Sequence, residues 1–367
     1  MNQALKDDSS CLQHRVTGSA ARMVFLDYLR IFAFVSVLVG HKFYGYVIAL
    51  SSDQTAKYSP RLLAKLFLPL LQGGGAGVVV FFLVSGYIIT HVLQTEQTCE
   101  FVIKRVFRIY PLYIVALLSQ FIILALTGPT PSLSTLALQL LLVGDLFGTA
   151  YALNGVEWTL RVEVAFYVFM ATLSGLNLIH HPRKILPFIF IAMTLVCGFI
   201  APIPSANIWS KGYFTIYSPF LLLGSMFYLL EKKQLSITIV FFFVGLVFYQ
   251  YYSLISMYQQ KWIGTHFAIL AFIVFLVSWF FRQYLTAAPW VLLISEMTYA
   301  VYLFHNWFFD FTKSGLANIN VYVLNPDLQA LIVLLPVCFI MVRCVEKPGI
   351  RLGRILLTKL RGAQSLT

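Results

Sequence analysis

The sequence predicts an all-α, polytopic membrane helix bundle of about ten transmembrane helices with both termini in the cytoplasm. Three observations carry that expectation. Hydrophobic residues make up 59% of the 367 and charged residues 11%, with a mean hydropathy of +0.82, a balance foreign to soluble domains. Apolar stretches recur at the roughly 20-residue length that a 30 Å hydrocarbon core demands. Lysine and arginine gather in alternate connections, as the positive-inside bias requires. The net charge of +12 therefore reads as basic cytoplasmic loops rather than a nucleic-acid footprint, and no nucleic-acid partner is expected.

In chain order, residues 1–22 are polar and carry no cleavage pattern, so they read as a cytoplasmic tail ahead of an uncleaved signal-anchor. Spans are expected near 24–48, 72–93, 110–127, 158–177, 185–201, 213–230, 236–255, 262–281, 289–309 and 328–345. The apolar stretch 133–152 contains Asp145 and two glycines and reads as a re-entrant or outer-surface helix. Counting it as an eleventh span would invert every later loop. Lys104, Arg105 and Arg108, then Arg183 and Lys184, then Lys232 and Lys233, then Arg282, fall on the cytoplasmic side. Lys57, Arg61 and Lys65 in the first outer loop are the misfit. The domain reading is a membrane domain over 23–346 and a basic cytoplasmic tail over 347–367. Five scattered cysteines with no Cys-x-x-Cys indicate neither a disulfide framework nor a zinc site, and no metal is expected.

Ionisable groups inside apolar spans are costly, which makes them the candidates for function. Arg30 and His41 stand eleven residues apart in one apolar stretch. Eleven residues at about 100° each close roughly three turns, so both share a helix face about 16 Å apart along the axis. The bland alternative is a snorkelling arginine and a core histidine.

On the assumed topology the polar groups form two layers. Arg30, Arg105, Arg108, Arg343 and Glu346 lie toward the cytoplasm, and His41, Glu163 and His305 toward the outside. Arg105 and Arg108, three apart in Lys104-Arg-Val-Phe-Arg108, suit a phosphorylated donor because guanidinium forks match phosphate oxygens; plain topology or lipid head groups would explain them too. His41 can act as base or nucleophile. Glu163 reads as the carboxylate that orients it, with a packing pair to Arg161 or another span as the alternative. Tyr299, Tyr302 and His305 follow at spacing three and form one stripe, which is otherwise an ordinary packing feature. The run from Gly73 to Gly77, leading to Ser85 and Gly86, reads as close helix packing with a backbone contact to substrate. Glu346 reads as the ion-pair partner of a basic residue such as Arg343. His91, His180 and His181 read as bland.

These pieces together resemble the acyltransferase family 3 membrane proteins, the bacterial integral-membrane O-acyltransferases. The matching motifs are Leu26-Asp27-x-Leu29-Arg30 with His41, Gly77 through Ser85-Gly86, and Arg105-x-x-Arg108-Ile-x-Pro111. Trp158-x-Leu160-x-x-Glu163-x-x-Phe166-Tyr167, Tyr299-x-x-Tyr302-Leu-x-His305 and Glu346-x-Pro348 follow in the family's order. The resemblance implies transfer of an acyl group, usually acetyl, from cytoplasmic acetyl-CoA as donor substrate to a hydroxyl of a surface glycan or its lipid-linked precursor, in the inner membrane of a bacterium. It implies that Arg30 and His41 are essential and that Arg105 and Arg108 face the donor. Tyr28, Ile31, Phe32 and Thr159 depart from the family's usual residues, which bears on specificity rather than on the reaction. A transporter or flippase of a lipid-linked sugar, using the same buried Arg and His, is the rival reading. An enzyme acting on a small cytoplasmic acceptor is the third.

Overall fold

The structure is a computed structural model that describes residues 23–128, 131–179, 185–205, 210–321 and 323–364. The expected N-terminal tail, and the loop residues His180, His181, Arg183 and Lys184, lie outside them. Among the described residues every regular element is helical and there is no strand. In a bilayer an α-helix satisfies all its backbone groups within the segment, so a sequence this apolar has few other ways to fold.

The helices are α1 (Val24–Lys42), α2 (Tyr44–Ser52), α3 (Tyr58–Leu71), α4 (Gly75–Leu93), α5 (Thr98–Thr127) and α6 (Leu133–Leu140). They continue as α7 (Glu157–Gly175), α8 (Leu186–Phe199), α9 (Tyr213–Glu231), α10 (Ile237–Tyr258) and α11 (Phe267–Phe280). α12 (Pro289–Phe304), α13 (Trp307–Asn318), α14 (Pro326–Met341) and α15 (Lys347–Gln364) complete the set. Six segments among the described residues are long and apolar enough to cross a membrane, and α8, α11 and α12 are shorter apolar helices. α7 is as long as α1 but carries Glu157, Arg161 and Glu163.

Several boundaries differ from the expectation. The span expected at 24–48 ends at Lys42 and the chain turns at Phe43 into α2. The span expected at 289–309 breaks at His305 and Asn306 before α13. The stretch 133–152 holds only the eight-residue α6 before it turns. The expected tail after 347 is the 18-residue α15, continuous with α14 through a π-turn at Val342–Glu346.

The packing centre is the α4–α9 pair. Gly86 lets the two backbones meet: a Cβ there would lie 1.8 Å from the Leu221 carbonyl oxygen, and one on Gly224 would lie 2.0 Å from that of Leu83. Ser225 Oγ donates across the seam to the Gly86 carbonyl at 3.2 Å. Small residues at crossings replace the missing hydrophobic drive between helices in lipid. α1 closes on the same helix: Gly77 faces the Ala33 carbonyl oxygen at what would be 2.3 Å from a Cβ. The α4 N-terminus follows Gly73 and Gly74, both at positive φ (56° and 69°), which only glycine adopts freely. Its first-turn amide on Gly77 is satisfied from a neighbouring helix, donating to Ser36 Oγ at 3.1 Å.

Two apolar clusters result. One holds the first half of α1 with α4, the second half of α7, and α8 to α11. The other holds α5, α6, the start of α7, and α12 to α14. α1 and α7 contribute to both, and the polar residues collect along the seam between them.

Candidate active site

Three cavities run along that seam and share walls. A basic cleft of about 350 Å³ is lined by Arg30, Arg108, Ser295, Glu296, Glu346, Lys347, Arg351 and Arg354 among others. It meets a smaller central cavity, about 120 Å³, at Arg30 and Arg108. The central cavity in turn shares Val37, Val78 and Tyr302 with a vestibule of about 400 Å³ that holds His41. On α1, Arg30, Phe34, Val37 and His41 follow one another along this line at helical spacing. The shared face expected of Arg30 and His41 is present.

At the basic end, α5 supplies Arg105 and Arg108 to the central cavity. Arg105 lies over the Phe101 and Tyr167 rings, 5.3 and 5.8 Å from their centroids. Arg108 pairs with Glu346 at 2.8 Å, and Glu346 is only 2% exposed. This corrects the expected Glu346–Arg343 pair. The π-turn widens the helix by one residue, so Glu346 faces inward while Arg343 points out, its guanidinium 5.1 Å from the Phe339 ring centroid. Arg30 is held by Asp27 at 3.4 Å, and Ser295 Oγ donates to Asp27 at 2.6 Å. α15 brings three further cations, Lys347, Arg351 and Arg354, spaced along one of its faces. It is pressed onto α5 by Gly349 and Gly353, where a Cβ would meet Pro111 and Phe107 side-chain atoms at 2.7 Å.

Glu163 does not orient His41. It lies in the central cavity with Arg30, Arg105 and Arg108, and its Oε1 accepts from Ser85 Oγ at 2.6 Å and from the Tyr167 hydroxyl. α7 begins at Glu157, so Glu163 stands about 9 Å into the helix, on the side that meets Ser85 of α4 and Arg105 of α5. Arg161 does not serve it either: Arg161 Nε donates to Glu157 at 2.8 Å, a pair 2% and 0% exposed in its side chains. Glu157 also accepts the Ala152 amide at 2.6 Å, tying the preceding loop to α7.

The partner of His41 is His305, with Nδ1 of His41 and Nε2 of His305 at 3.1 Å. His305 Nδ1 lies 2.7 Å from the Tyr302 carbonyl oxygen. A carbonyl only accepts, so Nδ1 of His305 carries its proton. In the neutral ring Nε2 then accepts from His41 Nδ1–H, which puts the lone pair of His41 on Nε2. Both histidines stand where a helix stops, His41 in the last turn of α1 and His305 at the end of α12. Interrupted backbone at membrane depth is tolerated where it lines a cavity. Tyr302 donates its hydroxyl to the Val156 carbonyl at 2.9 Å and is also bonded to the Thr159 hydroxyl, while Tyr299 donates to the Ile109 carbonyl at 3.0 Å. These two tyrosines brace α12 against α7 and α5 and wall the central cavity.

The structure thus brings Arg30, Arg105, Arg108, Ser85, Glu163, Tyr299 and Tyr302 together, with Glu346 behind Arg108 and the His41–His305 pair beyond Tyr302. The sequence reading missed Lys347, Arg351 and Arg354. Their signal was present, as cations at i, i+4 and i+7 on a stretch containing Gly-x-x-x-Gly. It also missed the aromatic wall of the vestibule, which is assembled from separate segments.

The chain matches the model of the acyltransferase domain family over residues 23–344. The match ends before Glu346 and α15. No curated protein and no solved structure matches. The match covers nearly the whole chain and includes every cavity-lining motif up to His305, and on that ground the protein belongs to the acyltransferase 3 family of multi-pass membrane proteins.

Proposed function

We propose that the protein is an O-acetyltransferase. It carries an acetyl group from cytoplasmic acetyl-CoA to a hydroxyl of a cell-surface polysaccharide or its lipid-linked precursor, in a bacterial inner membrane. The observation that carries this reading is the run of cavities with shared walls from a cationic cleft to His41. The phosphates of the donor fit the cleft, where Arg108, Lys347, Arg351 and Arg354 converge. The small central cavity passes a slender thioester arm, with Arg30 at its entrance and Glu163 within it. The acceptor waits in the vestibule beside His41.

In this mechanism His41 Nε2 takes the proton of the acceptor hydroxyl. The oxygen attacks the thioester carbonyl, and the tetrahedral intermediate collapses with cleavage of the C–S bond. The departing CoA thiolate takes the proton back from the imidazolium. A covalent route, in which His41 first accepts the acetyl group, uses the same nitrogen and yields two separable half-reactions. His305 acts as a positioning residue that fixes the His41 tautomer.

The same track would serve a flippase of a lipid-linked sugar. The experiment that separates them follows labelled acetyl from acetyl-CoA into glycan in matched membranes, with wild type and His41→Ala. Label in glycan with wild type alone supports the reading. Neither transfer nor CoA release from wild type, with glycan precursors present, favours the flippase. Label in a small soluble acceptor instead of glycan identifies an enzyme working on the cytoplasmic side.

A further inference from the structure

The vestibule has a chemistry of its own. One wall is a cluster of aromatic rings: the Trp158 centroid lies 4.5 Å from that of Tyr213 and 5.3 Å from that of Tyr217. Trp262 stands across the glycine turn, held close by Gly73, where a Cβ would fall 2.6 Å from its ring. Such faces are the apolar partners that the C–H face of a sugar ring requires, and their polar edges suit its hydroxyls.

Besides His41 and the tyrosines, Lys261 is the ionisable residue among the described residues of this lining, and no carboxylate lines it. The Lys261 ammonium lies 5.2 Å from the Trp262 ring centroid and 5.9 Å from that of Tyr213, on the edge of the same wall. Burial holds the Lys261 amine below its ordinary value, so a bound anion would offset a desolvation cost already present in the fold.

One buried polar atom of the lining, Ser210 Oγ on a residue 3% exposed, also lacks a partner in hydrogen-bonding geometry among the described residues. A buried polar group without a partner is costly, and a ligand hydroxyl or carboxylate would satisfy it.

We propose that the vestibule selects an anionic saccharide, its ring against Trp262, Tyr213 and Trp158 and its carboxylate or phosphate held by Lys261. The proposal rests on the reading of the vestibule as the acceptor site, but the binding itself needs neither donor nor turnover. The test uses the full chain in lipid nanodiscs, without acyl-CoA, titrated with three probes: a hexuronate-containing disaccharide, its carboxyl-reduced neutral counterpart, and a hexose 1-phosphate. Binding is read from tryptophan fluorescence.

At least one anionic probe is expected to bind wild type about tenfold more tightly than the neutral one. Lys261→Ala should erase that preference and Lys261→Arg should keep it. Preference for the hexuronate over the phosphate, or the reverse, identifies the anion. Equal binding of charged and neutral probes overturns the proposal, as does binding of none, or a preference that survives Lys261→Ala. Coenzyme A binding at the basic cleft, measured in parallel, reports whether each variant is folded. Its absence in wild type would defeat the donor reading and leave the saccharide site standing.

Discussion

The two ends of the track are built by opposite means. At the basic end the charges are held by other charges: Arg108 by Glu346, Arg30 by Asp27, Lys347 by Glu296 at 2.7 Å. They sit on helices that run through this end without a stop, widened by the π-turn at Val342–Glu346, with α15 laid against α5 by two glycines. At the histidine end the helices stop, and His41 is positioned by a neutral relay through His305 to a backbone carbonyl. A cleft for phosphates needs many cations whose exact placement matters little. A proton-transfer site needs one nitrogen in one tautomer, with every neighbour fixed. The difference teaches that the basic end should govern donor affinity and the histidine end the rate.

The sharpest way to break that division is His41→Ala. Loss of general-base catalysis should cut acetyl transfer about 10²- to 10⁴-fold, with coenzyme A binding unchanged by titration. If donor affinity fell equally, the two ends would not be separate. Next comes Arg108→Ala, which strands the buried Glu346 and should cost about 1–3 kcal/mol of stability. Thermal unfolding in detergent should show the loss, and adding Glu346→Gln should recover much of it while the KM for acetyl-CoA stays high. Recovery of that KM in the double variant would mean that Arg108 serves the fold and not the donor.

A smaller effect is expected from Arg351→Ala and Arg354→Ala. Each should weaken coenzyme A binding about tenfold, less at high salt because exposed charges are screened, and leave the rate at saturating donor intact. Smaller still is His305→Ala. One lost positioning hydrogen bond, about 0.5–1.5 kcal/mol, corresponds to at most about a tenfold fall in kcat. His305→Gln, which can still present an acceptor, should restore much of it, whereas failure of Gln to do so would remove the tautomer argument. Ser85→Ala should be the mildest, a loss of roughly twofold in kcat read in the same assay, because Tyr167 still donates to Glu163.

Much of the site was legible in the sequence because it is carried by single helices. The Arg30–His41 stripe follows from helical periodicity alone, and the Tyr299, Tyr302, His305 series likewise. The close packing at Gly77 and Gly86 could be read because small residues in an apolar helix have few other uses. Which residue answers which across the bundle was not legible. Glu163 was assigned to His41 and belongs to Ser85 and Tyr167, since a helix start read to within one residue of Glu157 does not say which neighbouring helix a side chain meets. Glu346 was assigned to Arg343, and the π-turn sent the two to different sides. The vestibule wall, drawn from α7, α9 and the turns around Gly73 and Trp262, has no local signature at all.

The sequence by itself determined the all-helical membrane architecture, the family, and the residues that carry charge into it. Hydropathy and periodicity are properties of one segment at a time, and the physics that reads them is local. Tertiary structure alone decided that His305 rather than Glu163 holds His41. It also decided that α15 completes the basic cleft, and that the basic cleft and the vestibule both share walls with one central cavity. Those are contacts between segments far apart in the chain, set by how glycine-lined helices close on one another. No single stretch of the sequence contains that information.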